Sequence, residues 1–493
     1  MKQFKICYVS PEVVPFAKTG GLADVAGALP VAHKEMEHDV RLMMPNYKSI
    51  NERKFILREV IRLREVNVEL NNQVKIANGK TAFLPNSKVH VYFLSIPEYF
   101  DRKDLYVDSK SKKEFPDNAE RFAFFSMSVL KTLKLLYWQP EIIHCNEWQT
   151  ALIPFYLKTH FKDDPFFKNT KTVLSLHNLA YQGIFPVEKA SKIGISDKYY
   201  SQGGEFEFYG KLNFLKGGIL FSDVINTVSE QYAEEITKSE EFGFGLEKVL
   251  SSRKKDLFGI LNGADYSVWS PDEDENIPVQ YDTRSLNRKL ENKKALCEKT
   301  SLKFDPEVPV IGIISRLTEQ KGFDLIAEIF EKLMKLKVNL ILLGDGDPKY
   351  SDIFKKLKKK YSKKFSLNLK FDNQLAHLIE AGSDIFLMPS KFEPCGLNQI
   401  YSLRYGTIPV VRETGGLKDT VINFNPKTNK GNGFTFTKYN SKDMFNALKK
   451  ALDTFQDEKT WTKIQKNGMH EDFSWNTSAK KYLKLYEKAL KKK

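Results

Sequence analysis

The sequence predicts an α/β protein of two domains facing a cleft, and three observations carry that reading. The hexad TGGLxD occurs twice, at 19–24 and again at 414–419, once near each end. In each half short apolar runs alternate with amphipathic stretches, the pattern of parallel sheets with helices on both faces. Between the halves, near 262–278, the composition turns to NGADYSVWSPDEDENIP, rich in turn formers and acids. A chain of 493 residues is also too long for one ordinary core.

Taken in order, strands are expected at 4–10, 39–45, 89–95, 141–145, 171–177 and 224–229, with helices over 21–35 and 117–137 between them. The second helix opens on Asp117 and carries Glu120 three positions later, a pattern that caps a helix N-terminus. Residues 64–95 hold NN and NG turn signals and predict a local hairpin. The first domain is expected over 1–265, with 266–278 as hinge or linker because its turn formers and acids resist packing. A second domain over 279–474 places strands at 308–315, 338–344, 366–371, 384–390 and 407–411. Residues 475–493 form a terminal helix. Tyr482, Leu485, Tyr486 and Leu490 recur at helical spacing, so this stripe must dock on a domain surface, expected to be that of the first domain.

Composition excludes several classes. Hydrophobic residues at 41% and charged residues at 28% are ordinary for a soluble globular chain, and no stretch approaches the roughly 18 uninterrupted apolar residues a membrane span needs. MKQFKICYVSPE has no signal-like hydrophobic region. Cys7, Cys145, Cys297 and Cys395 are dispersed, without CxxC or zinc-like spacing, and predict reduced thiols. A cytoplasmic location is expected. The net charge of +15 is mostly scattered Lys, densest in KKLKKKYSKK at 355–364; without a nucleic-acid module it reads as a solvated helix face. Neither nucleic acid nor membrane is an expected partner, and the oligomeric state stays open.

Several motifs carry chemistry. A paired glycine at a helix start lets backbone amides approach an anion, and the helix dipole adds positive potential. Lys18, Gly20 and Gly21 therefore suit a phosphate or sugar oxygen, while Asp24 in the first turn has helix capping as a competing role. Arg316 and Lys321 in SRLTEQKG, after a very apolar strand, can neutralise a diphosphate leaving group without a metal. In SKFEPCGLNQIYSLRYGTIPVV (390–411), Glu393 follows a strand directly and Gly396 permits close backbone approach. A carboxylate there can grip sugar hydroxyls or stabilise an oxocarbenium ion. His177 ends a strand in HNLAYQGIF, and Asn262 in LNGAD can bond a sugar hydroxyl or serve a turn. HCNEWQT (144–150) adds polar and aromatic groups. Asp345 and Asp347 form a DxD pattern that elsewhere holds a divalent ion, but here it sits in a GDGDP turn; DEDE at 272–275 reads as linker charge. No metal ligand is assigned.

Together, KTGGLADV, HNLAYQG, LNGAD, SRLTEQKG and FEPCGLNQIYSLRYGTIPVVRETGGL, in that order, form a specific signature. The chain resembles the bacterial glycogen synthases and plant starch synthases almost end to end. The resemblance implies two Rossmann-like domains in the GT-B glycosyltransferase architecture. It implies ADP-glucose as donor, an α-1,4-glucan (glycogen or maltooligosaccharide) as acceptor, retention at the anomeric carbon and no cofactor or metal. By the same resemblance Lys18 contacts the donor, with Gly20 and Gly21 as its diphosphate loop and Asp24 in the same motif. Arg316 and Lys321 stabilise the leaving nucleoside diphosphate. His177, Tyr181 and Asn262 lie near the transferred glucose, Glu393 is the essential acid, and Cys395, Gly396 and Leu397 line the sugar site. Phe371 faces the base, and Thr414, Gly415 and Gly416 form the second phosphate-facing turn.

Two positions depart from the family pattern: Glu147 stands where Asp is usual, and Gln149 where His is frequent. The added methylene bears on acceptor positioning. The implied chemistry is glucosyl transfer to the 4-hydroxyl by front-side attack, with the leaving phosphate accepting the acceptor proton. Competing readings are a transferase acting on a lipid or small-sugar acceptor, and a binding protein that kept the fold without catalysis. A nicotinamide-dependent oxidoreductase would need GxGxxG after a first strand, which is absent here.

Overall fold

Near-continuous apolar runs, buried on both faces as parallel strands require, build the first of two α/β units. This unit comprises Met1–Val228, Ala233–Gly263 and Trp475–Lys493. The computed structural model describes residues 2–370 and 372–492. The strands of this unit are β1 (Lys5–Val9), β2 (Asp39–Pro45), β3 (Arg58–Glu59), β4 (Val66–Leu70), β5 (Gln73–Phe83), β6 (His90–Ser95), β7 (Ile142–Asn146), β8 (Lys171–Leu176), β9 (Ile184–Pro186), β10 (Glu207–Phe208), β11 (Lys211–Asn213), β12 (Val224–Thr227) and β13 (Leu257–Gly259). The main sheet runs β13-β12-β8-β7-β1-β2-β6-β5-β3, with β4 on β5 and a small separate sheet β10-β11-β9. From β13 to β6 all pairings are parallel, and β5, β4 and β3 add an antiparallel edge. The chain leaves β1 on one side to β2 and on the other to β7, which makes β1/β7 the topological switch point. Ligands of open α/β sheets bind beyond the carboxyl ends of the strands at such a point. The segments following β1 and β7 carry Lys18–Gly21 and Glu147.

The second unit comprises Ser229–Tyr232 and Ala264–Ser474. Its sheet is entirely parallel, in the order β16-β15-β14-β17-β18-β19. Here β14 is Val310–Ile314, β15 Asn339–Leu343, β16 Phe365–Asn368, β17 Ile385–Met388, β18 Ile408–Arg412 and β19 Phe434–Phe436. The helix Phe323–Met334 buries Phe323, Ile326, Phe330 and Leu333 at helical spacing against Ile313, Leu340, Leu342 and Leu387 of the sheet. The switch point lies at β14/β17, whose carboxyl ends lead into SRLTEQKG and SKFEPCG. Among the described residues no helix is long and apolar enough to cross a membrane. All four cysteines are buried thiols.

The terminal helix Trp475–Leu490 belongs to the first unit. Tyr486 OH hydrogen-bonds His144 Nδ1 at 2.8 Å, Asn226 Nδ2 donates to Tyr482 OH at 3.1 Å, and Ser478 Oγ donates to Leu261 O at 2.7 Å. Burial of Tyr482, Leu485 and Tyr486 follows the expected stripe.

Three expectations change. Residues 266–278 are no linker: Trp269 stacks on His377 at 3.8 Å and on Tyr401 at 4.3 Å between ring centroids. Asp274 is fully buried, accepting from Tyr405 OH at 2.5 Å and bonding His377 Nδ1 at 2.8 Å. Its acidic character serves an internal network, which composition alone cannot distinguish from solvated charge. Asp117 sits at the N-cap of Asn118–Leu135 without capping it, because its carboxylate takes both terminal nitrogens of Arg102 at 2.7 and 2.5 Å. Within 64–95 the chain turns at Asn71–Asn72 between β4 and β5 and again over 84–89 between β5 and β6, but Asn78-Gly79 lies within β5, opposite Ser95 and Leu94, where a Cβ at 79 would come 2.5 Å from Leu63 Cδ1. The strand β19, in GNGFTFTK, was not foreseen, since three residues carry too little periodicity.

Candidate functional site

In the second unit the β14/β17 switch point opens into a pocket of ≈ 210 Å³. Arg316, Lys321, Ser390, Glu393, Gly396, Leu397 and Asn398 are among its lining residues. Backbone contacts set these loops. Gly322 has φ +77°, and a Cβ there would lie 2.2 Å from Pro389 O; this presses the Lys321 turn onto the end of β17. Asn398 Nδ2 donates to Ile314 O at 2.7 Å, fastening the helix Asn398–Arg404 to β14. Glu393 is 6% exposed. Its Oε2 forms an ion pair with Lys321 Nζ and accepts from Ser390 Oγ at 3.1 Å, while Oε1 is uncommitted among the described residues. Arg316 is exposed and lines the pocket without an ion-pair partner among the described residues. Two cations and one oriented carboxylate thus share one small concavity.

Gly415 and Gly416 pack against the same loop rather than standing open, and Thr414 beside them is buried. Gly416 N donates to the carbonyls of Glu393 and Pro394 at 3.1 Å. A Cβ at Gly415 would lie 2.0 Å from Glu393 O, and one at Gly416 2.0 Å from Cys395 O. The glycines of this second TGGLxD copy are required by the protein's own backbone.

The first copy differs. A Cβ at Gly20 or Gly21 would meet nothing within 4 Å, so these glycines leave space that the protein itself does not use. Lys18 Nζ pairs with Asp24 Oδ1 at 2.8 Å, both side chains substantially exposed. The second copy's acid, Asp419, accepts the Gln231 amide instead. Gly20 N donates to Glu12 Oε2 at 3.2 Å, so the amide is turned toward the protein. Glu12 was not singled out from the sequence; it lies seven residues before Thr19 in SPEVVPFAKT, with only its position after β1 as a signal.

After β7, Glu147 adopts φ 62° and ψ 180°, a backbone region that side chains other than glycine rarely enter. Its Oε1 accepts the amides of His177 and, at 3.0 Å, Asn178. Burial pushes its carboxyl up to about 8, opposed by these two amides. A protonated Oε2 is compatible with Oε1 holding both amides. Glu147 therefore grips the HNLAYQG turn through its backbone, and Gly183 of that turn presses on the Trp148 ring, 2.6 Å from a built Cβ. Asn146 Nδ2 donates to Val9 O at 3.0 Å, which makes Oδ1 the acceptor for Tyr8 OH at 3.1 Å and His177 Nε2 at 3.0 Å. His177 accordingly carries its proton on Nε2, and burial lowers its pKa to about 3, so the ring is neutral. Asn262 Oδ1 and Gln149 Oε1 are buried without a protein partner, the state of groups awaiting a ligand or water. Tyr181 is 56% exposed.

The DxD aspartates are spent locally. Asp345 Oδ1 accepts Gly346 N and Asp347 Oδ1 accepts Lys349 N, each at 2.8 Å, the latter capping the Lys-rich helix Pro348–Lys360. That helix buries Tyr350, Ser351 and Phe354 and turns most of its lysines to solvent. Phe371 lies outside the described residues.

Comparison with known proteins gives these features a family. Residues 5–252 match the starch synthase catalytic domain and 298–469 match glycosyl transferases group 1. With the two α/β units, these matches define a retaining glucosyltransferase of GT-B architecture. The chain is 47% identical to the glycogen synthase of Thermotoga maritima over 494 residues, covering 99% of each chain. It is 44% identical to that of Koribacter versatilis over 484 residues, covering 98% of each. The catalytic domain of starch synthase IV from Arabidopsis thaliana, solved bound to ADP and acarbose, superposes with a TM-score of 0.88 at 30% identity, covering 99% of this chain and 100% of that one. The chain belongs to the bacterial glycogen synthase and plant starch synthase family.

Proposed function

We propose that this protein transfers glucose from ADP-glucose to the non-reducing 4-hydroxyl of an α-1,4-glucan, with retention of anomeric configuration. The observation that carries the reading is the pocket at the β14/β17 switch point, where Arg316, Lys321 and Glu393 converge. A similar catalytic domain was solved bound to ADP and acarbose, which favours the adenine nucleotide and an α-glucan acceptor. Arg316 and Lys321 meet the diphosphate as the glycosidic C–O bond breaks; charge-assisted contacts in a partly dry pocket contribute most when charge develops in the transition state. The acceptor oxygen attacks from the face the diphosphate leaves, and a phosphate oxygen takes the acceptor proton. Glu393, fixed by Lys321 and Ser390, orients the glucosyl group and stabilises its positive charge, with Cys395, Gly396 and Leu397 beside it.

In the first unit the same reading gives Lys18 and the Gly21 amide to the donor, with Asp24 holding Lys18 in place. His177 acts as a neutral imidazole, while Asn262, Tyr181 and Gln149 serve sugar hydroxyls. Glu147 contributes by holding the His177 turn. No metal is needed where two cations neutralise the leaving group. Reaction in the cytoplasm fits four buried thiols. The test is incorporation of labelled glucose into glycogen from ADP-glucose or UDP-glucose in EDTA, with Glu393→Ala as control. Incorporation from ADP-glucose that Glu393→Ala abolishes supports the proposal; a trapped glucosyl–Glu393 ester overturns the front-side route.

A further inference from the structure

The KTGG turn is held by an internal carboxylate. Glu12 is 4% exposed, and its backbone is fixed at the end of β1, where Ser10 Oγ donates to Glu12 O at 2.7 Å and Tyr47 OH donates to Pro11 O at 2.9 Å. The following strap folds back on itself: Val13 N bonds Ala17 O and Val14 N bonds Ala23 O, each at 3.0 Å. From this anchor the Glu12 side chain accepts the Thr19 amide, the Thr19 hydroxyl at 3.0 Å and the Gly20 amide at 3.2 Å. The helix Gly21–Glu35 has Gly20 as N-cap with no side-chain cap of its own. Two of the turn's amides are thereby turned inward, and those of Gly21 and Leu22 are left without a partner among the described residues. A turn with open space at both glycines and no packing to define it would otherwise sample many conformations.

We infer that Glu12 is a positioning residue for the donor: by holding Thr19 and Gly20 it fixes the KTGG turn so that Lys18 and the Gly21 and Leu22 amides face the nucleotide sugar. The inference rests on the reading of this turn as donor-contacting. It parallels Glu147, whose carboxylate holds the His177 turn by two successive amides, so two turns of the first unit are each tied to one buried acid.

The test measures KM for ADP-glucose and for glycogen, kcat, and thermal unfolding for Glu12→Ala, Glu12→Gln, Thr19→Val, the double variant Glu12→Gln/Thr19→Val, and Lys18→Ala. Glu12→Ala is expected to raise the donor KM by about tenfold, the scale of losing charge-assisted hydrogen bonds, with the glycogen KM within about twofold. Glu12→Gln keeps a carbonyl oxygen for the Thr19 amide and should recover most of the donor KM. Should Glu12→Ala not fold, Thr19→Val and the double variant carry the test: each loses the Thr19 hydroxyl contact and should raise the donor KM with the glycogen KM within about twofold. A donor KM within about twofold of wild type in both Glu12→Ala and Thr19→Val (or, should Glu12→Ala not fold, in both Thr19→Val and the double variant), or donor and glycogen KM rising in step, overturns the inference. A raised donor KM in Lys18→Ala with unmoved Glu12 variants overturns the positioning role alone; an unmoved Lys18→Ala overturns the donor reading of the turn.

Discussion

Lys321 is both half of an ion pair and half of the proposed diphosphate clamp, and the two roles can be separated. Its side chain is 17% exposed and that of Glu393 8%. Breaking a fully buried pair by removing one partner costs about 3–5 kcal/mol; the lysine's residual contact with water brings the expected loss for Lys321→Met to about 2–3 kcal/mol. The Glu393 carboxylate is then left with the Ser390 hydroxyl as its recorded partner. Independently, the transition state loses a charge-assisted hydrogen bond worth about 1.5–3 kcal/mol, which is about 10- to 150-fold in kcat/KM. Adding Glu393→Gln removes the stranded charge and should return stability to within about 1 kcal/mol of wild type, with activity remaining lost. Denaturant unfolding and initial rates with ADP-glucose and glycogen, measured where all variants are folded, report the two quantities. A kcat/KM for Lys321→Met within about threefold of wild type, or recovery of transfer in the double variant, would falsify the clamp.

The two TGGLxD copies predict opposite glycine phenotypes. Gly416→Ala should destabilise by more than about 2 kcal/mol, because backbone blocks the new Cβ, whereas Gly21→Ala should leave unfolding unchanged or slightly raised while raising the donor KM; equal thermal shifts would contradict this. The Glu147 carboxyl, pushed up to about 8 from 4.5, binds a proton in the folded state that the unfolded chain has already released. Its contribution to stability is therefore complete below about 4.5 and is lost as pH rises toward about 8. Glu147→Gln should flatten the fall in unfolding free energy across that window, and parallel pH profiles would count against the buried acid. Transfer from ADP-glucose should persist in EDTA and exceed transfer from UDP-glucose; dependence on an added divalent cation would refute neutralisation by Arg316 and Lys321.

Strand positions and the docking stripe of the terminal helix were legible because long apolar runs and helical spacing are local signals. Sheet order placed SRLTEQKG and SKFEPCG together, a non-local fact that the motifs only hinted at. What the sequence hid was partner choice. Asp117 reads as a cap but is claimed by Arg102, and Asp274 reads as linker charge but meets His377 and Tyr405 in the core. The repeated glycine pair reads as one device used twice, yet one copy is open and the other pressed on Glu393 and Cys395. Glu12 and the backbone-gripping role of Glu147 escaped because a carboxylate's acceptor-only chemistry shows only once the amides it meets have been placed.

The most direct measurement is a crystal structure of the protein with ADP. The account predicts β-phosphate oxygens within about 3 Å of both the Arg316 guanidinium and the Lys321 ammonium, in the pocket beside Glu393. ADP seated elsewhere, or phosphates facing water with those two side chains turned away, would contradict it.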